Sequence, residues 1–226
     1  IFKGKFCKGI SRENTVFKLL NLLEKKNLLE KKKFKIIIVK NIPQKSGMGG
    51  GSMNAAAILN FFFNQGLLSL NQTKFYAKKI GSDVILGLNY KTKILYSNSR
   101  IKEIKKNLKY SVLLVKPSFG CSSKTIFALN KTFSKRQYFF NKKININRRM
   151  IVQGKNDLEI SSFKKYPKLK TLKNLLLKNK NAEFVRMTGS GSTIVVYFKS
   201  NVSAKNALKI YKRKLNKCWC ILSKII

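Results

Sequence analysis

Positions 47–51 hold four glycines in five places: Gly47, Gly49, Gly50 and Gly51. An apolar, strand-like run at residues 34–39 precedes them, and an alanine-rich, helix-like stretch begins at about Ser52. Glycines let backbone N–H groups approach an anion without side chains in the way, and the positive end of the following helix adds to the attraction. The sequence therefore predicts a phosphate-binding loop between a strand and a helix.

Two common nucleotide-binding loops do not fit this glycine-rich segment. A Walker A loop has Lys and then Ser or Thr after its last glycine, whereas Ser52 and Met53 follow here. A dinucleotide-binding loop needs a third glycine where this chain has Ser52, and an acidic residue where it has the region of Asn71. The familiar nucleotide-binding folds are thereby disfavoured.

Aspartate is scarce in this chain, which contains only Asp83 and Asp157. Asp83 stands between a Gly-Ser pair and an apolar run that begins at Val84. A carboxylate at this place is a candidate catalytic group, and a helix or turn cap is the structural alternative. For Asp157 we predict a helix cap.

The formal net charge of the chain is +41, from 49 Lys and Arg against 8 Asp and Glu. Such a charge favours a nucleic acid or an anionic surface as partner. However, 42 of the basic residues are Lys and only 7 are Arg, and specific readers of nucleic acid rely on the bidentate contacts of Arg. The lysines are also spread along the whole chain. We therefore interpret the charge as compositional bias and expect no specific nucleic-acid partner, with a basic RNA-binding protein as the alternative.

The cysteine and histidine content bears on compartment and metals. The chain has no His, and its four cysteines (Cys7, Cys121, Cys218 and Cys220) lack a framework spacing. This content predicts a cytoplasmic protein with no metal held by its side chains. The longest apolar run, residues 55–70, is interrupted by polar residues and predicts a buried helix rather than a membrane span, so we expect no membrane partner.

Apolar periodicity predicts helices and short strands in the first half of the chain. They are a helix from about Arg12 to the lysines at 31–33 with Ser11 as N-cap, an interior strand at 34–39, helices at 52–64 and 70–80, the latter capped by Asn71, and a hairpin of 93–97 with 100–104 that turns at Ser97, Asn98 and Ser99. The basic stretch at 105–107 is the predicted boundary between two α+β domains, residues 1–107 and 108–226.

The second half shows a different order of elements. The predicted elements are a strand at 111–115, a polar loop that runs into a short helix at 118–129, a loop with partial helix at 130–150, a helix start at 156–159, a helix at 169–177, a hairpin of 184–187 with 193–198, a helix at 202–215 and a strand at 218–222. This order is β-α-β-β-α-β-like and predicts a split βαβ, ferredoxin-like domain.

The pattern that opens the second helix resembles the phosphate loop of the GHMP kinase superfamily. It consists of Pro43, three intervening residues, and then Gly47-Met48-Gly49-Gly50-Gly51-Ser52. Three further segments resemble motifs of that family, in the same order along the chain: Gly81-Ser82-Asp83-Val84, Asn156-Asp157-Leu158-Glu159, and Met187-Thr188-Gly189-Ser190-Gly191. Two positions depart from the family pattern: Met53 replaces a loop serine, and Ile85 and Leu86 follow Val84 where the family usually has Pro-Phe-Phe.

This resemblance implies a fold and an activity. The fold is a two-domain α+β GHMP kinase, with an incomplete first half that shares the architecture of a ribosomal protein domain and a ferredoxin-like second half. The activity is ATP-dependent phosphorylation of a small molecule. In the branch of the family most like this chain, the substrate is a cytidine diphosphate-linked methylerythritol, phosphorylated on its 2-hydroxyl in non-mevalonate isoprenoid (terpenoid) biosynthesis. A kinase of homoserine or of a mevalonate derivative and an inactive relative are the alternatives within the family.

The resemblance also assigns roles to residues. Binding of ATP is implied for the loop residues Pro43, Gly47, Met48, Gly49, Gly50, Gly51 and Ser52, and Asp83 is the implied catalytic base. Mg²⁺ is expected from the chemistry of phosphoryl transfer, as an ion that bridges the phosphates. Substrate contacts are implied for Ser123, Phe127, Gly189, Ser190 and Gly191. From the residues alone, Phe127 could equally be core and residues 189–191 an ordinary hairpin turn. The family carries a further lysine and an Asp-Gly-Tyr-His stretch near its N-terminus, so we expect this chain, which begins at Ile1, to lack that segment.

Overall fold

The computed structural model describes residues 1–11, 13–98, 100–104, 109–135 and 147–225. The chain forms two compact units, one of Ile1–Gln44 with Gly49–Lys105 and the other of Lys45–Met48 with Lys106–Ile226. The glycine-rich segment therefore contributes residues to both units. The predicted boundary after residue 107 lies outside the described residues, as do Arg12, the hairpin position Ser99 and most of the predicted loop at 130–150.

The first unit is mainly helical. Its elements are β1 (Phe2–Lys3), α1 (Thr15–Lys25), β2 (Ile38–Val39), α2 (Gly50–Asn64), α3 (Leu70–Ile80), a 3₁₀-helix (Val84–Leu88), β3 (Thr92–Leu95) and β4 (Ile101–Ile104). Its core is formed by the apolar faces of α1, α2 and α3, with Leu19, Leu59 and Phe62 fully buried. The predicted helix at 70–80 and the predicted hairpin are confirmed, since β3 and β4 pair antiparallel.

The strand predicted at residues 34–39 is much shorter in the structure. Only Ile38–Val39 is a strand, and it pairs in parallel with Phe2–Lys3. An interior strand needs a partner on both edges, whereas in the described part of the chain β2 pairs only with β1. Side chains of this run are correspondingly exposed, Ile37 by 47% and Val39 by 59%.

Two helix caps differ from the prediction. Asn14, not Ser11, caps α1: its Oδ1 accepts from the N–H groups of Val16 and Phe17 at 3.0 and 3.2 Å. Ser69, not Asn71, caps α3. The cap is the residue whose side-chain oxygen reaches a free N–H of the first turn.

A capping box fixes the start of α3, and α1 ends earlier than predicted. Ser69 Oγ accepts from the N–H of Gln72, whose side chain accepts from the N–H of Ser69. This reciprocal pair fixes the start of the helix at Leu70, two residues earlier than a cap at Asn71 would allow. Helix α1 ends at Lys25 instead of in the lysine run, because the following chain turns through left-handed conformations at Asn27 and Glu30, with φ of 52° and 49°.

The second unit has one sheet covered by helices. Its elements are β5 (Tyr110–Lys116), α4 (Ser123–Leu129), α5 (Arg148–Gln153), α6 (Leu158–Lys165), α7 (Pro167–Leu177), β6 (Phe184–Met187), β7 (Ile194–Phe198), α8 (Asn201–Lys214) and β8 (Trp219–Ile225). The four strands lie in the order β6-β7-β5-β8, and all neighbours are antiparallel. This is the strand order of a split βαβ domain, so the ferredoxin-like prediction is confirmed.

The core of the second unit lies between the sheet and its helices. Leu113, Val196 and Phe198 of the sheet are fully buried against Leu169 and Leu176 of α7. Among the described residues of both units, no helix combines the length and the apolar character needed to span a membrane.

Candidate active site

The glycine-rich segment begins helix α2 without a side-chain cap. Gly49 is the N-cap residue, in the left-handed conformation with φ of 65°, and no side chain hydrogen-bonds the first turn there. The first N–H groups of a helix have no partner inside the helix, and they carry its positive end. Ser52, half-buried in the first turn, adds a hydroxyl to them. This geometry suits an anion.

Two polar side chains reach the same turn, and the sequence analysis missed both. A Cβ at Gly50 would lie 3.7 Å from Nζ of Lys40, and a Cβ at Gly51 would lie 3.3 Å from Oγ1 of Thr15. Burial lowers the pKa of the Lys40 ammonium. A half-buried ammonium beside an uncapped helix start is a second attraction for a phosphate group. No feature of the sequence around Lys40 distinguishes it from the other lysines.

The chain that leads into the loop is fixed to the first strand region. Pro43 is buried, and Nε2 of Gln44 donates to the carbonyl oxygens of Phe6 and Lys8 at 2.9 and 2.7 Å. The start of the loop is therefore held in place by these hydrogen bonds. Met48, also predicted for the site, is half-buried.

Asp83 stands at the start of the 3₁₀-helix but does not cap it. No cap hydrogen bond forms, the residue is exposed, and its carboxylate has one hydrogen bond, from Oγ of Ser82 at 3.5 Å. Among the described residues the carboxylate makes no ion pair. The capping role that was the structural alternative is thus not observed, and the carboxylate is available for a ligand.

The 3₁₀-helix is packed closely on α2. A Cβ at Gly87 would lie 2.7 Å from the Cβ of Ala56 and 2.9 Å from Sδ of Met53, so only glycine fits. Met53 and the residues after Val84 are the two places where the sequence departs from the GHMP kinase pattern. The structure brings them together: the larger side chain at 53 fills space beside the glycine at 87. Met53 is therefore in close contact with the 3₁₀-helix at Gly87.

Within the second unit, the short piece Lys45–Met48 is bound to two other segments by its carbonyl oxygens. The N–H of Cys121 donates to Lys45 at 3.1 Å, and the N–H of Thr193 donates to Ser46 at 3.2 Å. Oγ1 of Thr188 donates to the Gly47 carbonyl at 3.2 Å. The middle of the glycine-rich segment is therefore part of the same structure as the turn at residues 188–193.

Gly47 and Gly189 make a contact that excludes side chains. Gly47 has a φ of 71°, and a Cβ there would collide with the carbonyl oxygen of Thr188 and lie 2.8 Å from that of Gly191. Gly189 has a φ of 51°, and its Cβ would lie 2.8 Å from the Gly47 carbonyl oxygen. The glycines of these two motifs are required by this backbone approach.

Ser190 faces the interior of the turn. It is 4% exposed, its Oγ lies 2.7 Å from Oγ of Ser123, and its carbonyl accepts from Oγ of Ser162 at 3.2 Å. Ser123 itself is exposed at the start of α4. The structure thus joins two of the predicted substrate residues by a hydrogen bond, with only Ser123 reaching the surface.

Phe127 is not a core residue. It is 55% exposed and borders an open cleft of about 420 Å³. Phe133, Lys155 and Arg186 line the same cleft, together with Asp157. Exposed rings next to basic side chains can accept a planar, anionic ligand.

Side chains of the Asn-Asp-Leu-Glu motif hydrogen-bond to the backbone at the turn of residues 188–193. Nδ2 of Asn156 donates to the carbonyls of Met187 and Gly189, each at 2.8 Å, and Oε1 of Glu159 accepts from the N–H of Met187 at 2.7 Å. The other oxygen of Glu159 is paired with Lys173 at 2.6 Å, both half-buried. The motif therefore holds the turn in place.

Asp157 does not cap helix α6, contrary to the prediction. Its Oδ2 accepts from the N–H and Oγ of Ser134, each at 2.9 Å, and it makes no cap hydrogen bond. Oδ1 of Asn156 accepts from the N–H of Leu158 at 3.1 Å instead. The side chain of Asn156 therefore binds the first N–H of the helix through its oxygen, and the turn through its nitrogen.

A buried lysine that the sequence analysis did not single out joins the loop before α4 to the turn. Nζ of Lys116, 4% exposed, donates to the carbonyls of Pro117 and Phe119 at 2.9 and 3.0 Å. The Phe119 carbonyl also accepts from Oγ of Ser192 at 2.7 Å. Burial lowers the pKa of Lys116 and raises the pKa of the adjoining Cys121 thiol to about 11.

Comparison with known proteins identifies the family of this chain. The family model "GHMP kinases N terminal domain" matches residues 14–89, and "GHMP kinases C terminal" matches residues 137–217. A 4-diphosphocytidyl-2-C-methyl-D-erythritol kinase of Pelagibacter ubique is 48% identical over 100% of this chain and 81% of its own length. The enzyme of the same name from Petrotoga mobilis is 30% identical over 87% of this chain and 81% of its own length.

Solved structures show the same fold. A crystal structure of 4-(cytidine 5'-diphospho)-2C-methyl-D-erythritol kinase matches 98% of this chain and 81% of its own with a TM-score of 0.72 at 20% identity. A homoserine kinase from Cytophaga hutchinsonii matches 100% of this chain and 81% of its own with a TM-score of 0.66 at 14% identity. The α+β fold class expected for GHMP kinases is confirmed. The chain therefore belongs to the GHMP kinases, a family of ATP-dependent kinases of small molecules, as a relative of the 4-diphosphocytidyl-2-C-methyl-D-erythritol kinases.

Proposed function

We propose that this protein transfers the γ-phosphoryl group of ATP to the 2-hydroxyl of 4-diphosphocytidyl-2-C-methyl-D-erythritol. The observation that carries the proposal is the uncapped, glycine-rich start of α2 in the same unit as an exposed aspartate without an ion pair. The choice of substrate is supported by the 48% identity to the Pelagibacter ubique enzyme of that name.

The glycine-rich segment is the proposed ATP site. Backbone N–H groups of residues 47–51 and the Ser52 hydroxyl would hold the β- and γ-phosphates, with Pro43 and Met48 shaping the segment. The Lys40 ammonium, beside Gly50, would neutralise part of their charge. Small residues are needed here because a side chain would occupy the space of the phosphate.

Asp83 is the proposed catalytic base. Its carboxylate would accept the proton of the substrate's 2-hydroxyl as that oxygen bonds to the γ-phosphorus. The bond from the γ-phosphorus to the bridging oxygen breaks, and ADP leaves with the electron pair. General-base catalysis of this kind contributes about 10²–10⁴-fold to the rate.

Mg²⁺ is proposed to enter the site with the nucleotide. Among the described residues no group of three metal-ligating side chains occurs, and Mg²⁺ commonly binds through substrate phosphates, water and one or two carboxylates. The described residues therefore fit an ion that binds through the phosphates of the nucleotide, rather than a metal site built from protein ligands. When bound, Mg²⁺ neutralises charge on the transferred phosphoryl group.

Substrate contacts are proposed for Ser123, Phe127 and the turn at residues 189–191. The exposed hydroxyl of Ser123 and the exposed ring of Phe127 lie on one short helix, which suits a nucleoside that needs a hydrogen bond and a stacking surface. Gly189 and Gly191 would keep the turn free of side chains, and Ser190 would support it from inside. All four cysteines are free thiols, which supports the cytoplasm as the site of action.

The test compares two carboxylate substitutions in the intact protein, with ATP and 4-diphosphocytidyl-2-C-methyl-D-erythritol as substrates. Asp83→Asn should lower kcat by about 10²–10⁴-fold, because the amide cannot take the proton. Glu30→Gln is the matched control, since it also removes one exposed carboxylate from the first unit, and it should leave kcat unchanged. An unchanged kcat for Asp83→Asn would overturn the assigned mechanism.

A further inference from the structure

The 3₁₀-helix that begins after Asp83 is held at its other end by a lysine outside the sequence motifs. Nζ of Lys93, on strand β3, donates to the carbonyls of Leu86 and Asn89, each at 2.8 Å. The last carbonyls of a helix have no partner inside it, and a lysine side chain can satisfy them. Lys93 therefore closes the C-terminal end of this helix.

The hairpin also holds Asn89, the residue that follows the helix. Glu103 of β4 accepts from Nδ2 of Asn89 at 3.0 Å and from Nζ of Lys91 at 2.8 Å. Partial burial lowers the pKa of Lys93, and Glu103 opposes this shift. Asn89 is thus tied to the hairpin both through its carbonyl, by Lys93, and through its side chain, by Glu103.

The opposite side of the 3₁₀-helix is fixed to α2. Gly87 lies against Ala56 and Met53, as described above, and Nδ2 of Asn60 donates to the Leu88 carbonyl at 3.2 Å. The helix therefore lies between the helix of the phosphate loop and the β3–β4 hairpin. Asp83 is exposed at the N-terminal end of this helix.

One residue, Leu86, links Lys93 to Asp83 through its two backbone groups. The N–H of Leu86 donates to the Asp83 carbonyl at 3.2 Å, and the carbonyl of Leu86 accepts from Lys93. Loss of the ammonium would leave two carbonyls of a short helix without their partner, and such helices are weakly stabilised by their own hydrogen bonds. The position of Asp83 relative to α2 would then be less well fixed, with the Gly87 contact and the Asn60–Leu88 hydrogen bond left to hold the helix.

We propose that Lys93 is a positioning residue for phosphoryl transfer. It holds the 3₁₀-helix and thereby keeps the Asp83 carboxylate in a fixed position relative to the start of α2. This inference rests on the proposed role of Asp83 as the base. It extends that role to a side chain that touches neither substrate, and the placement of a reacting group to within about 1 Å can be worth 10²-fold in rate.

The experiment measures kcat and KM for ATP in the intact protein, for Lys93→Met, Lys93→Arg and the control Lys91→Met. Lys93→Met should lower kcat by about 10- to 100-fold while KM for ATP changes by less than about threefold, because the phosphate loop is untouched. Lys93→Arg should recover most of kcat, since a guanidinium also donates to two carbonyls. Lys91→Met removes the same charge two residues away, from an exposed ion pair with Glu103, and should leave kcat near that of the unchanged protein.

Thermal unfolding, followed by circular dichroism, separates positioning from a loss of fold. Kinetics are measured well below the melting temperature of each variant, and Lys93→Met is also combined with Asp83→Asn. If Lys93 acts through Asp83, the double variant should be no slower than Asp83→Asn alone. An unchanged kcat for Lys93→Met, equal losses for Lys93→Met and Lys91→Met, or additive losses in the double variant would overturn the inference. An unchanged kcat for Asp83→Asn would instead overturn the proposed function itself.

Discussion

The start of α2 in the first unit and the turn at residues 188–193 in the second are both rich in glycine, yet their polar groups are used in opposite ways. The first turn of α2 has no side-chain cap, and Asp83 in the same unit makes no ion pair among the described residues. In the turn, Ser190 and Ser192 are buried and hydrogen-bonded, and the backbone is held by the Asn-Asp-Leu-Glu motif. The polar groups at the start of α2 and at Asp83, which we propose bind ligands, are left unpaired, whereas the polar groups of the turn are paired within the protein.

This difference predicts that substitutions in the two regions will have different signatures. Changes in the bonded turn should lower the stability of the fold, because buried partners lose their hydrogen bonds. Changes at Asp83 should lower activity and leave stability nearly unchanged, because its carboxylate is exposed and makes a single weak contact.

The largest loss of stability is expected at Gly47. A Cβ in Gly47→Ala would collide with the carbonyl of Thr188, in addition to the strain of a positive φ. Gly66→Ala is the control, because Gly66 has a φ of 72° but nothing within 4 Å of an added Cβ. We expect a cost of about 1 kcal/mol for Gly66→Ala and about 3 kcal/mol or more for Gly47→Ala, measured by urea unfolding. Equal costs would contradict the close backbone approach.

The next effect is expected at Glu159, which joins the N–H of Met187 to Lys173. Glu159→Gln keeps the shape but removes the charge from a half-buried pair, and we expect a loss of about 2 kcal/mol in the free energy of unfolding. Glu30→Gln breaks an exposed pair with Lys32 and should cost less. The account of the turn fails if the two substitutions prove equally mild.

The smallest effect concerns the contact of Met53 with Gly87. Gly87→Ala places a Cβ 2.9 Å from Sδ of Met53, and shortening that side chain in the Met53→Ala background should relieve part of the strain. A double-mutant cycle on unfolding free energies should give a coupling of about 1 kcal/mol. Additive free energies would contradict a direct contact between positions 53 and 87.

The sequence carried enough information for elements set by local patterns. Helix α3 begins and ends at the predicted residues, and the split βαβ order of the second unit follows from the spacing of its apolar runs. The prediction of an interior strand at residues 34–39 was wrong in the length and the position of the strand. A strand needs hydrogen-bonded partner strands, and an apolar run does not specify them. The caps at Asn14 and Ser69 were missed because several residues near each helix start could cap it, and only the backbone geometry selects one.

The supporting lysines could not be predicted from the sequence. Lys40, Lys93 and Lys116 are three among 42 lysines, and nothing in their neighbours sets them apart. What distinguishes them is burial and their contacts, with carbonyl groups for Lys93 and Lys116 and with the start of α2 for Lys40, which only the folded chain provides. Motif glycines and Asp83 were accessible to sequence reasoning because their residue types are rare or conformationally special at those positions.

Phosphorus NMR of the reaction products tests the central claim most directly. The intact protein is incubated with ATP and 4-diphosphocytidyl-2-C-methyl-D-erythritol, and in parallel with ATP and homoserine. The account predicts that ADP and a new phosphomonoester on the 2-oxygen of the cytidine substrate appear in equal amounts, with no phosphoester of homoserine. Phosphorylation of homoserine instead, or release of ATP's γ-phosphate only as free phosphate, would contradict it.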